Sequence, residues 1–347
     1  MKTIKRVKRV VISLGILLLI AALFIGFKFG MKYYKSYQND ALLTNTILDS
    51  KIRAKDYNEA KSLKNGQIVS KKIIHLAEIP PIWNTISENG YLTNTFKYLD
   101  NINFYVIVYK SDSLLVNGII AEPKKEGRFP VIIFNRGGNK EIGKVAKAKT
   151  LYSLITTASK LADEDYLLLA SCYREDDEFG GNDLKDVLNL TETIKFIDQA
   201  DTSRIGMIGW SRGGMMTYLS LKNSTRIKTA VIGNGPSDLE KLIINRPEME
   251  SQVCAKLIPR YGENKKKELQ KRSVVNWVDE LDKNASLLIL CGTEDKQVNP
   301  NQANLIAHKL EEIKYDFKLE KVKTDHKFST KKEELNKLLL NWFKENL

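Results

Sequence analysis

Ser211 sits at the centre of Gly209-Trp210-Ser211-Arg212-Gly213, and no other residue of the chain is better placed for covalent chemistry. An apolar run with Ile205, Met207 and Ile208 leads into this pentapeptide, and a helix-compatible segment, MMTYLSL, leaves it. The order is strand, sharp turn, helix, with a serine at the apex. Such an elbow needs small residues two places either side of its nucleophile, because strand and helix approach too closely there for side chains. A serine hydroxyl is a poor nucleophile at neutral pH, so it needs a base in hydrogen-bond reach and a third group to orient that base.

Three histidines compete for the base: His75, His308 and His326. His75 precedes the run of alternating elements, and His308 lies within a helical pattern, NQANLIAHKL. His326 lies in a polar loop, TDHKFST, between the last strand pattern and the last helix pattern, and is the candidate base. The acid falls in the turn after SLLILC, where Glu294 and Asp295 are both candidates. Either choice gives the chain order serine, acid, histidine expected of α/β-hydrolases. Stabilising the oxyanion needs backbone N–H groups aimed where negative charge develops. Arg212 N–H supplies one, and the loop Arg136-Gly137-Gly138 after PVIIFN can supply a second through Arg136 or Gly137.

The elements that must position these groups alternate. Strand patterns at residues 103–110 and 114–123 form an antiparallel pair, and apolar strands follow at 130–135, 166–173, 228–234 and 286–292. Helices are expected at 147–161, from Asp183, after the elbow and at 301–314, with a strand at 317–322. The final helix is expected to open on a capping box, Thr330 with Glu333. Alternating β and α segments give a mostly parallel, doubly wound sheet, whose sites form beyond the carboxyl ends of the strands. Residues 236–283 interrupt the alternation and are expected to form a helical lid.

The chain has 347 residues and a formal charge of +13. Residues 1–35 hold eight Lys or Arg and no acid, and removing those eight from 55 basic residues leaves an excess of 5 over the 42 acids. The basic character therefore belongs largely to one end, which argues against nucleic acid as a partner. Three cysteines read as small buried hydrophobes rather than a disulfide, and so few His and Cys at no ligand spacing argue against a metal. No cofactor is expected. Residues 1–9 are expected to form a basic cytoplasmic end, residues 10–27 an uncharged 18-residue transmembrane anchor, residues 28–70 a stalk or solvated helical lead-in, and residues 71–347 the α/β-hydrolase domain. Five basic residues before the apolar run and three after it favour a single-pass protein with its body outside the cytoplasm. The alternative is secretion after cleavage of the segment.

Five ordered motifs, FNRGGN, DEFGGND, GWSRGG, CGTEDKQVNP and the late His326, resemble the catalytic domain of the prolyl oligopeptidase family of serine hydrolases. The resemblance covers about residues 100–347. It implies the α/β-hydrolase fold, with Ser211 as nucleophile, Asp295 as acid, His326 as base and an acyl-enzyme on Ser211. It also implies a peptide or small-molecule substrate, with a carboxylesterase using the same triad, or a non-catalytic binding protein on a hydrolase scaffold, as alternatives. Three features depart from the family pattern. The stretch between the expected anchor and the first strand of the hydrolase-like region is too short for a gating β-propeller, Arg136 stands where relatives carry His or Tyr, and Tyr173-Arg174-Glu175-Asp176 replaces a Tyr-Arg-Gly-Ser-like loop.

Overall fold

The leucine-, isoleucine- and valine-rich runs lie buried on both faces, as strands covered by helices on two sides must be. The computed structural model describes residues 14–28, 30–31, 57–138 and 146–347. It divides into two units, Met1–Thr46 and Ile47–Leu347. In the first unit residues 14–28 are helical, and Leu17, Leu18, Leu23 and Phe27 are exposed. Among the described residues no helix is long and apolar enough to cross a membrane. The first four residues of the expected span, 10–13, lie outside the described residues.

The second unit is built on a nine-stranded sheet. Its strands are β1 (Ile68–Ile74), β2 (Ile102–Ser111), β3 (Leu114–Pro123), β4 (Phe129–Asn135), β5 (Leu167–Ser171), β6 (Ala200–Trp210), β7 (Thr229–Gly233), β8 (Ser286–Gly292) and β9 (Phe317–Val322). The spatial order is β1-β2-β3-β5-β4-β6-β7-β8-β9. The run from β5 through β4 to β9 is parallel throughout, and β1, β2 and β3 join it by antiparallel pairings. Strands β5, β7 and β8 are buried at every residue. The main helices are α1 (Ala146–Thr157), α2 (Arg212–Asn223), α3 (Leu239–Asn245), α4 (Tyr261–Lys271), α5 (Asn301–Glu312) and α6 (Lys332–Asn346).

Four expectations need correction. The stalk or lead-in does not run to residue 70, because β1 pairs with β2 from Ile68; the helix Tyr57–Lys61 ahead of it agrees with a helical lead-in. Residues 32–56 of that call lie outside the described residues. The helix expected over 147–161 stops at Thr157 and resumes as Lys160–Asp163, with Ser159 Oγ donating back to the Ile155 carbonyl. The helix from Asp183 is broken into Leu184–Leu188, Leu190–Thr193 and a 3-10 turn. There Thr191 and Thr193 hydroxyls donate to the Leu188 and Asn189 carbonyls, the side-chain competition that disfavours a continuous helix. The capping box does not form, because α6 begins at Lys332 and its cap, Lys331, makes no side-chain cap bond.

The interruption at 236–283 is largely helical, and Leu239, Leu242, Met249, Val253, Leu257 and Trp277 belong to the main hydrophobic core. Arg272 fastens it to the loop before the Asp183 region by donating to the carbonyls of Phe179 and Glu178.

Candidate active site

The parallel sheet delivers the loops carrying every sequence-predicted site residue to one edge. Ser211 follows β6, Arg136 and Gly137 follow β4, Asp295 follows β8 and His326 follows β9. At the elbow Ser211 has φ 56° and ψ −124°, a region that L residues rarely adopt. The turn is closed by Ser211 N–H donating to the Gly233 carbonyl at 2.8 Å and by Gly214 N–H donating to the Ser211 carbonyl at 2.8 Å. Both glycines of the pentapeptide are required by space. A Cβ on Gly209 would stand 2.1 Å from the Gly213 carbonyl oxygen, and one on Gly213 would stand 1.8 Å from that of Asn135. Ser211 follows the last residue of β6, Trp210, and caps α2, which begins at Arg212, so Arg212 N–H is among the N-terminal groups that a helix leaves without an internal partner.

His326 and Asp295 meet. Nδ1 of His326 lies 2.6 Å from Oδ2 of Asp295. The other carboxylate oxygen, Oδ1, accepts N–H groups from Gln297 at 2.7 Å and Val298 at 3.0 Å, so the turn after β8 holds the acid in one orientation. The alternative acid, Glu294, is more than half exposed and faces Lys323. His308 is 72% exposed beside Glu312, and His75 is exposed after β1, so neither reaches this edge. The loop bearing His326 is itself fixed. Its carbonyl accepts from Trp210 Nε1 at 2.9 Å and Asn234 Nδ2 at 3.0 Å, while Phe328 packs edge-on against Trp210. Sequence reasoning missed Asn234, although it ends the apolar run KTAVIGN at the same edge as the others.

Ser211 and His326 line one cleft of about 600 Å³, with no hydrogen bond between them. Catalytic hydrogen bonds are often long in unliganded enzymes. Gly137 and Gly138 line the cleft and Arg136 does not. A Cβ on Gly137 would come within 3.1 Å of Ser211 Cβ, so this loop lies directly against Ser211. The Arg136 side chain turns inward instead, donating to the Gly137 and Cys172 carbonyls. The remaining walls come from Thr95, Phe96 and Tyr98, from α1, and from the loop leading into α6. No residue of 236–283 lines the cleft, so the segment expected to cover the site does not wall it.

The acidic loop after Tyr173 has a use its charge alone did not reveal. Asp177 grips Arg212 with both oxygens at 2.6 Å, and Asp183 adds a bond at 2.8 Å, all buried. Burial alone would raise the Asp177 pKa, and the Arg212 charge and hydrogen bonds outweigh it, holding the carboxyl below its usual range. The Tyr173 ring lies between two guanidinium groups, Arg136 at 4.9 Å and Arg212 at 4.8 Å. Burial pushes its hydroxyl up to about 12, against the pull of both arginines. The oxyanion-side loop and the elbow are thereby joined through one aromatic ring.

All three cysteines are buried and free. Among the described residues no group of three or more His, Cys, Asp or Glu is gathered to hold a metal.

A strained serine elbow on a mostly parallel sheet, with a histidine–carboxylate pair beside it, defines an α/β-hydrolase. Within that class the chain belongs to the prolyl oligopeptidase family, whose pattern matches residues 173–347, half of the chain. It is 24% identical over 220 residues to the uncharacterized peptidase YtmA of Bacillus subtilis, covering 61% of this chain and 81% of that protein. Its fold is similar to that of the acylaminoacyl peptidase of Pyrococcus horikoshii (TM-score 0.59, 23% identity), covering 73% of this chain and 43% of that one. It is also similar to dipeptidyl peptidase 4 of Porphyromonas gingivalis (TM-score 0.56, 18% identity), covering 71% of this chain and 36% of that one. The chain therefore spans less than half the length of these two solved relatives.

Proposed function

We propose that the chain is a serine peptidase of the prolyl oligopeptidase type that acts through an acyl-enzyme. The observation that carries this reading is the 2.6 Å pairing of His326 with a turn-anchored Asp295 in the loop beside the Ser211 elbow. His326 takes the Ser211 proton as Oγ bonds to the acyl carbon, and gives it to the leaving nitrogen as the C–N bond breaks. Water then attacks the acyl carbon, its proton passing by way of His326 to Ser211. Arg212 N–H, with the backbone of Gly137 and Gly138, faces the oxyanion. Side-chain donation by Arg136 has no part, since that guanidinium points away from the cleft.

Fold and triad do not set the leaving group. Turnover of blocked aminoacyl amides should therefore be compared with that of short-chain esters in the full-length protein. Efficient cleavage of the amides is expected. Turnover confined to esters would make the protein a carboxylesterase, and no turnover with no fluorophosphonate labelling would make it a binding scaffold.

The same reading places residues 10–27 in a bilayer with the catalytic unit outside the cytoplasm, supported by the uncharged run and the basic excess ahead of it. A C-terminal reporter active only outside the cytoplasm should be active and remain membrane-bound. A soluble, active reporter would mean cleavage and release, and an inactive one the opposite orientation.

A further inference from the structure

The cleft beside Ser211 is lined by lysines. Lys149, Lys327 and Lys332 line it, and no Asp or Glu does among the described residues. Lys327 directly follows His326, and Lys332 begins α6. The Lys332 ammonium is partly withdrawn from water, donating to the carbonyls of Thr156 at 3.1 Å and Lys327 at 2.8 Å. It thus ties α1 to the loop that carries His326. Asp325 is the carboxylate that acts on Lys332 among the described residues; it is exposed, and its oxygens already accept from Ser329 and from Lys327 N–H. Burial lowers the Lys332 pKa, the Asp325 charge opposes this, and the smaller effect of the Lys327 charge adds to the lowering. Lys332 is half-buried and Lys327 exposed, and both line the cleft, so an anion entering it meets two positive charges.

The position of these lysines says which end of a substrate they serve. His326 must protonate the leaving group, so the leaving group lies on the His326 side of Ser211. Lys327 and Lys332 belong to that side through the loop itself. Phe96, Tyr152 and Trp210 supply the apolar walls, and the volume of about 600 Å³ suits a ligand of dipeptide size.

Resting on the peptidase reading above, we propose that Lys327 and Lys332 bind a free carboxylate on the leaving group, so that the protein prefers to release carboxyl-terminal residues from short peptides. Their cations hold the carboxylate while His326 delivers its proton to the scissile nitrogen.

The test compares two N-blocked dipeptides that differ only at the C-terminus, one a free carboxylate and the other a carboxamide, with full-length protein. The expected kcat/KM ratio favours the carboxylate by about tenfold or more, the scale of one charge-assisted contact. Raising salt from about 0.05 to about 0.5 M should lower kcat/KM for the carboxylate and spare the carboxamide, because screening acts on the charged pair. Lys332→Gln and Lys327→Gln should each move the ratio toward one, and Lys332→Arg should keep it. Because the readout is a ratio within one preparation, partial misfolding of a variant cancels. Equal cleavage of both dipeptides by the native protein, or a preference that survives both Gln variants, overturns the carboxylate site and leaves the peptidase reading standing. Cleavage of neither dipeptide alongside ester turnover at Ser211 overturns both.

Discussion

Replacing Ser211 by Ala is expected to abolish fluorophosphonate labelling and to lower kcat on the order of 10⁶-fold, the loss seen when a triad nucleophile is removed. The fold should be indifferent to the change. The elbow is held by main-chain bonds, Ser211 N–H to the Gly233 carbonyl and Gly214 N–H to the Ser211 carbonyl, and alanine retains both. Alanine also meets the same backbone strain at φ 56° as serine does. Thermal unfolding should shift by no more than about 2 °C, the range of a substitution that removes no packing. Labelling that persists in Ser211→Ala, read by mapping the modified peptide, would remove Ser211 from the reaction.

The second large effect is expected at Asp295. The carboxylate has two distinct oxygens, because Oδ1 is taken by the N–H groups of Gln297 and Val298 and Oδ2 faces His326 Nδ1. In Asp295→Asn the two turn N–H groups require the carbonyl oxygen on their side, which leaves the amide NH2 facing His326. Nδ1 must then accept, so the ring proton moves to Nε2 and His326 can no longer take a proton from Ser211. The expected loss is about 10⁴-fold in kcat, equivalent to about 5.5 kcal/mol of barrier, with KM little changed. Glu294→Gln, one residue away, should remain within about twofold, since that side chain is exposed toward Lys323. Similar losses in both variants would mean that the effect came through the turn rather than the ring, and the assignment of Asp295 would fall.

Much of this site was legible because hydrolase chemistry imposes backbone demands that only certain residues meet. Gly209 and Gly213 stand where any Cβ would meet a carbonyl oxygen at 1.8 to 2.1 Å, so the pentapeptide is a record of space as well as of reactivity. The strands were legible for a related reason: β3, β8 and β9 are apolar or alternating runs with turn residues at both ends, and they fold over the expected spans. β1 was not, since its IVSKKII is half lysine and serine and is held at the sheet edge by its partner β2. A strand made by its neighbour leaves little periodicity to read.

The acidic run after Tyr173 shows the same limit at the site. Its charges name no partner, yet Asp177 and Asp183 both pair with the buried Arg212. Breaking such a buried pair costs about 3 to 5 kcal/mol, and nothing in the local sequence says which arginine answers an acid some 30 positions away. Residues 236–283 went the other way. They were expected to cover the site because they interrupt the alternation, but burial depends on which core is near, and their apolar side chains join the main core while other segments wall the cleft.

The sequence by itself pointed to the family through the resemblance of its ordered motifs, and to the serine elbow and the parallel architecture, because the last two follow from local spacing or from a backbone constraint. Tertiary structure alone decided that Asp295 rather than Glu294 meets His326, that Gly137 and Gly138 rather than Arg136 face the cleft, and that three lysines and, among the described residues, no carboxylate line it. Those are facts about which way side chains point once distant loops share one sheet edge, and a chain read in one dimension carries no direction for them.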